Sequence, residues 1–153
     1  MPVFEGMPVE TADKYRGGSP DAYGKVAERK ISDGDAPCRC CLRPVPKGEE
    51  MLVLAYRPFT ELQPYAETGP VFLCASPCAP SEKSGLPAIL MSPSYLLKGY
   101  SSDERIIYGT GQITPTDQVA GYADELLGRE DVAFVDLRSA KNNCWQARLI
   151  AES

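Results

Sequence analysis

The chain contains no histidine. That absence removes Ser-His-Asp and Cys-His catalysis, because both use imidazole to move the proton. It also removes every metal site that needs an imidazole ligand. Tryptophan occurs once, and no segment approaches the ~18 apolar residues of a membrane-spanning helix. Basic residues are in deficit, 16 Lys and Arg against 21 Asp and Glu, for a net charge of −5. That balance disfavours a broad nucleic-acid interface and an anionic membrane surface. The opening stretch MPVFEGMPVETADKYRGG carries acidic residues early and no apolar signal core, which points to a cytoplasmic chain.

Sulfur, by contrast, is plentiful. Six cysteines in a compartment that keeps thiols reduced point to metal or redox chemistry before a disulfide framework. The segment CRCCLRPVPKGEEM, residues 38–51, places three of them in four positions. Cys38-x2-Cys41 is followed, after 32 intervening residues, by Cys74-x3-Cys78. Four thiolates make a closed tetrahedral zinc site, and a two-residue spacer lets both sulfurs of a pair face one ion. Pro44, Pro46 and Gly48 favour a tight turn after the first pair. The layout resembles small treble-clef-like zinc fingers, with a structural zinc on Cys38, Cys41, Cys74 and Cys78. Two other readings stay open: cysteines acting as small buried hydrophobes, and a redox dithiol. Cys40 is left over, as an extra ligand or, preferably, an inert thiol.

The length of 153 residues fits one domain. Residues 1–37 read as an irregular N-terminal arm with one short helix over Pro8–Arg16, residues 38–78 as a metal-binding hairpin, and residues 86–151 as sheet and helix. Strands are expected at Met51–Arg57, Pro70–Cys74, Val132–Arg138 and Cys144–Ala151. Leu86–Met91 reads as a helical turn. A hairpin is expected from Ser94–Tyr100 and Glu104–Gln112, joined by Ser101–Asp103. The clearest helix runs from about 115 to 127, with Thr114 as N-cap, Asp117 completing a capping box and Gly128 after its end. Its Val119, Tyr122, Ala123, Leu126 and Leu127 share one face. The fold class is α+β, a single domain with a mostly antiparallel sheet.

Polar candidates gather at predicted strand ends. Tyr56, Arg57, Gln63, Tyr65 and Glu67 surround one loop, Asp103 and Arg105 mark a hairpin tip, and Arg138, Asn142, Asn143 and Cys144 lie between two strands. The plain reading makes Arg57–Glu67 an ion pair and Asn142-Asn143 a turn. The sharper reading has Arg57, Glu67, Arg138, Asn142, Asn143 and Cys144 line one cleft, with both arginines gripping a carboxylate or phosphate. Cys144 as a nucleophile requires activation by Arg138, with Glu67 or Tyr65 accepting the proton. In the last strand, alternation sets Cys144, Gln146 and Arg148 against Trp145, Ala147 and Leu149, and Cys144 is expected to be structural.

Three functions compete. The first is a binding module for a small anionic ligand or a protein partner, with no catalytic set. The second is a Cys144-dependent enzyme or thiol sensor. The third is a nucleic-acid-binding finger using Arg39, Arg43 and Lys47 with Arg29 and Lys30, which the overall acidity and the Glu49-Glu50 pair oppose.

The stretches LAYRPFTELQPYAETGPVFL, GYSSDERIIYGTGQI and LRSAKNNCWQARLI together resemble a bacterial family, domain of unknown function 1203, from about Asp21 to Ile150. In that family the first motif reads Cys-Arg-His-Cys and the later strand ends in Phe-Leu-His. Cys40 and Cys74 stand here in place of those histidines. At position 74 the exchange preserves a metal ligand; at position 40 it counts against a histidine-based role. The family name supplies no activity.

Overall fold

The longest alternating runs of the chain pair with one another. In the computed structural model, which describes residues 1–82 and 85–152, strand β5 (Ser94–Tyr100) lies antiparallel to β7 (Phe134–Ser139), Leu97 opposite Leu137. Strand β8 (Trp145–Ile150) pairs with the other side of β7, and β1 (Val3–Glu5) and β6 (Gln112–Pro115) form the edges. The resulting order is β1-β8-β7-β5-β6. A second sheet of three strands joins β2 (Glu28–Ile31), β3 (Glu50–Tyr56) and β4 (Gly69–Cys74), all antiparallel. Two helices, α1 (Val9–Arg16) and α2 (Val119–Leu127), complete an α+β domain. Among the described residues no helix is long and apolar enough to cross a membrane.

The layers follow from side-chain parity. One face of the large sheet sends Leu97, Val135, Leu137, Ala147 and Leu149 into a core closed by Val119, Ala123 and Leu126 of α2. These three are the buried part of the expected apolar stripe, with Tyr122 and Leu127 packed at its border. The opposite face meets the small sheet, where Trp145 packs with Tyr56, ring centroids 5.5 Å apart, beside Leu52, Leu54, Val71 and Leu73.

Four expectations change. The 1–37 arm is not irregular throughout. Besides α1 it holds β1, which inserts Phe4 opposite Leu149, and β2, which extends the small sheet. Glu104–Gln112 is mostly not a strand. Ile106 bridges Tyr100, but Gly109 then turns at φ +92° and the buried Thr110 hydroxyl accepts from Gly99 N, 2.9 Å, so regular pairing resumes only at Gln112. Thr114 is no N-cap: it lies buried within β6, and a 3-10 turn (Thr116–Gln118) precedes α2 without a side-chain cap. The β8 alternation is broken by a bulge, since Leu137 faces Ala147 while Arg138 faces Trp145. One extra residue reverses parity, so Trp145 joins Arg148 on the inner face and does not oppose it.

Two glycines test this packing from opposite directions. A Cβ at Gly6, just after β1, would lie 2.5 Å from Arg39 O and 2.6 Å from Cys40 O. Gly121 lies inside α2 with nothing within 4 Å of an added Cβ. Gly6→Ala should destabilise the chain by about 1–3 kcal/mol through overpacking against backbone. Gly121→Ala should stabilise it by up to about 1 kcal/mol. Urea denaturation of the two variants checks both signs.

Candidate metal centre and adjoining cleft

Residues 38–43 fold into a knuckle because Leu42 N donates to Cys38 O (2.9 Å) and Cys38 N to Arg43 O (2.9 Å). Leu42 takes φ +57°, a left-handed conformation that costs a non-glycine residue roughly 1–2 kcal/mol. Leucine serves there because its side chain is 2% exposed and packs into the core under α2. Arg39 N donates to Phe72 O (2.9 Å) and Met7 N to Arg39 O (2.6 Å), which ties the knuckle to both β4 and the β1–α1 link. The β3–β4 hairpin, with Met51 opposite Cys74, then returns the second cysteine pair to the first.

The sulfurs of Cys38, Cys41, Cys74 and Cys78 all lie within 4.8 Å of one another, Cys38 to Cys78 at 3.9 Å. A tetrahedron of thiolates around an ion at ~2.3 Å has edges of ~3.8 Å, so the set fits a metal ion with little adjustment. Cys74 N donates to Cys38 Sγ at 3.3 Å. Hydrogen bonds from Cys41 and Cys74 pull the Cys38 thiol far below its ordinary value against the effect of burial. The shared proton correspondingly pushes Cys41 and Cys74 up, and burial pushes up Cys78. Thiolate ligands must lose their protons, so a divalent ion bound here would replace the protons that the four sulfurs share.

Arg16 caps this cluster from α1. Its Nη2 donates to Cys78 Sγ (3.2 Å) and its Nε to Cys74 O (3.0 Å). Arg39 is 4% exposed and senses the Cys38 and Cys144 sulfurs; burial lowers its pKa to about 10. The sequence assigned Arg16 no role, and placed Arg39 on a basic surface only in the nucleic-acid alternative. Arg39 donates instead to Gln146 Oε1 (3.1 Å), and Arg29 pairs with Glu50 (2.8 Å). Cys40 lies outside the four-sulfur set. It is buried, burial raises its thiol, and it lines a cleft of about 570 Å³ with Tyr15, Tyr56, Arg57 and Trp145.

A second cleft, about 300 Å³, is lined by Glu67, Arg138, Asn142, Asn143 and Cys144, with Tyr56 and Trp145 shared with the larger one. Five of the six expected residues thus meet. Arg57 does not: it faces the larger cleft, its Nε 3.4 Å from Phe59 O, and the ion pairs shown for Glu67 are with Lys98 (2.8 Å) and Arg138 (3.3 Å). Tyr100 OH also donates to Glu67. Arg138 Nη1 donates to Asn143 O (3.0 Å), and Asn143 adopts φ +57°, so this asparagine does form the turn. Cys144 N donates to Ser139 Oγ (2.9 Å). Tyr65 pairs with Tyr108 OH (2.9 Å) and Gln63 with Glu104 O (2.8 Å), so both clasp loops together.

Behind Glu67 lies a buried charge cluster that the motif search passed over. Asp136, fully buried, accepts from Arg148 Nε (2.7 Å) and Nη2 (3.1 Å), and Arg148 stacks on Phe134. Its signal was present: Lys98, Asp136 and Arg148 are charges with apolar neighbours in their strands. Burial works against an ionised Glu67, yet hydrogen bonds from Lys98 and Tyr100 and the charge of Arg138 outweigh it and hold the carboxyl below its ordinary 4.5. A depressed carboxyl adds stability above 4.5 that is lost as pH falls through the folded value. Glu67→Gln should therefore cost about 2 kcal/mol at neutral pH, since the pair is only partly shielded. The deficit relative to the wild-type chain should shrink in urea titrations below pH 4.5.

No curated protein and no solved structure matches the chain. One family does, described as "Protein of unknown function (DUF1203)", over residues 35–150. The match begins after Asp21 and takes in the knuckle, the β3–β4 hairpin and every residue lining the smaller cleft. With most of its length matched, the chain belongs to the DUF1203 family.

Proposed function

We propose that the protein is a metal-stabilised binding module, with one structural zinc on Cys38, Cys41, Cys74 and Cys78 and a small anionic ligand in the cleft at Arg138. The observation that carries the metal half is the closed set of four sulfurs. Closed all-cysteine sites are structural, because no position is left for substrate. Zinc would draw its folding contribution from the knuckle, the β4 end and, through Arg16, helix α1. Such thiolates persist in a reducing compartment, which favours a cytoplasmic location.

The ligand half rests on Arg138, a guanidinium 5% exposed that nevertheless lines a cleft between the sheets. A buried arginine at a concave surface is suited to a planar anion. A Cys144 nucleophile gains no support: Glu67, the candidate base that lines the same cleft, is engaged by Lys98, Arg138 and Tyr100 and held ionised. The nucleic-acid reading loses Arg39 to burial.

Elemental analysis of protein purified without added metal should find close to one equivalent of zinc. Removal by a strong chelator should lower the thermal midpoint by more than ~10 °C, because binding free energy at such a site is folding free energy. Well-folded protein with under about a tenth of an equivalent of any metal would sink the metal half.

A further inference from the structure

Five of the six cysteines crowd one region, and the closed metal set uses four of them. The fifth, Cys40, is 1% exposed and lies between two ligands in the knuckle. A buried thiol is ordinarily inert, so its neighbours decide whether it can react. Of the groups that act on it, Cys78 shares a side-chain hydrogen bond, while Cys38 and Cys41 act through charge. Arg16 Nη2 donates to Cys78 Sγ at 3.2 Å, and its charge also reaches Cys40. One guanidinium thus meets both sulfurs.

The four ligands are unequally held. Cys38 and Cys41 belong to the hydrogen-bonded knuckle, and Cys74 closes β4 opposite Met51. Cys78 lies beyond β4, and among the described residues no backbone–backbone hydrogen bond holds 76–81. Arg43 Nη2 donates to Ala79 O, but at 3.5 Å. Cys78 is also partly exposed, where Cys38 and Cys41 are buried. It is therefore the ligand best able to shift and to meet a reagent from solvent. Cys40 is the fixed member, its carbonyl packed on Gly6 so closely that a Cβ there would lie 2.6 Å away. Cys38 is another neighbour of Cys78, at 3.9 Å, but its sulfur belongs to the metal set and Cys40 does not.

We propose that Cys40 is the resolving thiol of a peroxide-sensitive switch at the metal centre, forming a disulfide with Cys78 that expels the ion. The Cys78 thiolate attacks hydrogen peroxide; the O–O bond breaks, Cys78 becomes a sulfenic acid and hydroxide leaves. That hydroxide takes the Cys40 proton and becomes water. The Cys40 thiolate then attacks the Cys78 sulfur, the S–O bond breaks, and a second hydroxide leaves as the disulfide forms. The peroxide gains two electrons and the sulfur pair loses two. The ion keeps three thiolates and an open position, which weakens its hold and its contribution to folding. This switch rests on the reading of the four sulfurs as a zinc site.

The test treats the zinc-loaded full chain with hydrogen peroxide, follows released zinc with a chromogenic chelator and maps disulfides by peptide mass. Release of about one equivalent should accompany a Cys40–Cys78 linkage. Dithiothreitol and fresh zinc should then restore about one equivalent. Cys40→Ala should load zinc as the wild-type chain does, yet regain less than about half after the same cycle, because unresolved Cys78 proceeds to sulfinic acid. If that variant does not fold, the wild-type disulfide map decides alone. A first disulfide joining Cys38 to Cys78, or equal zinc recovery in the two proteins, would overturn the role of Cys40 and leave the metal centre standing. Folded Cys40→Ala that fails to load zinc would make Cys40 a ligand and end the switch, as would zinc retained without a disulfide in excess peroxide. A folded wild-type chain that is metal-free before peroxide would overturn the metal centre, and the switch with it.

Discussion

The knuckle at residues 38–43 sits where three parts of the chain must agree. Its backbone bonds β4 through Arg39 and Phe72 and the β1–α1 link through Met7 and Arg39. Its Leu42 side chain reaches the core under α2, while Cys38 and Cys41 belong to the other core, between the sheets. Small movements here are opposed by the close backbone approach at Gly6 and by the burial of the Leu42 side chain, which outweighs its strained dihedral. Four sulfurs lie close enough to hold one ion at the same point. The positions of β4, α1 and the large sheet therefore all refer back to this turn.

A second constraint operates between the sheets. Charged groups there survive burial only because each has partners at hydrogen-bond distance. Asp136 is held by both nitrogens of Arg148, and Glu67 by Lys98, Arg138 and Tyr100. Glu67 comes from the loop before β4, so this cluster fastens the small sheet to the large one by charge where the knuckle fastens it by backbone. It also leaves Arg138 at the edge of a cleft, with its side chain fixed in place by Glu67 and Asn143. Preorganisation of that kind reduces the ordering cost of binding.

Much of this was legible in the residues. Cysteine spacing named the four metal-ligand candidates, because ligand geometry is imposed by a short turn and a hairpin, both local. Apolar periodicity located the strands β3, β4, β5, β7 and β8 within a residue or two, and found α2 with its end right and its start four residues early. The Asn142–Cys144 turn and its neighbour Arg138 were legible for the same reason: they are close in sequence, and the hairpin brings them together.

What local pattern could not supply was anything decided by long-range pairing. Arg57 and Arg138 both sit beside strand ends, yet the packing of the two sheets sends them to different clefts. Arg39 lies in a basic stretch, but the knuckle turns it inward beneath both sheets. A single bulge between Leu137 and Arg138 moves Trp145 to the inner face, and no alternation rule foresees it because the extra residue is defined only against its partner strand. Sequence by itself determined the ligand types, the local turns and the absence of imidazole chemistry, since these depend on residue identity and nearest neighbours. The tertiary structure alone decided which charges meet, because burial and Coulomb energy depend on distances across the fold.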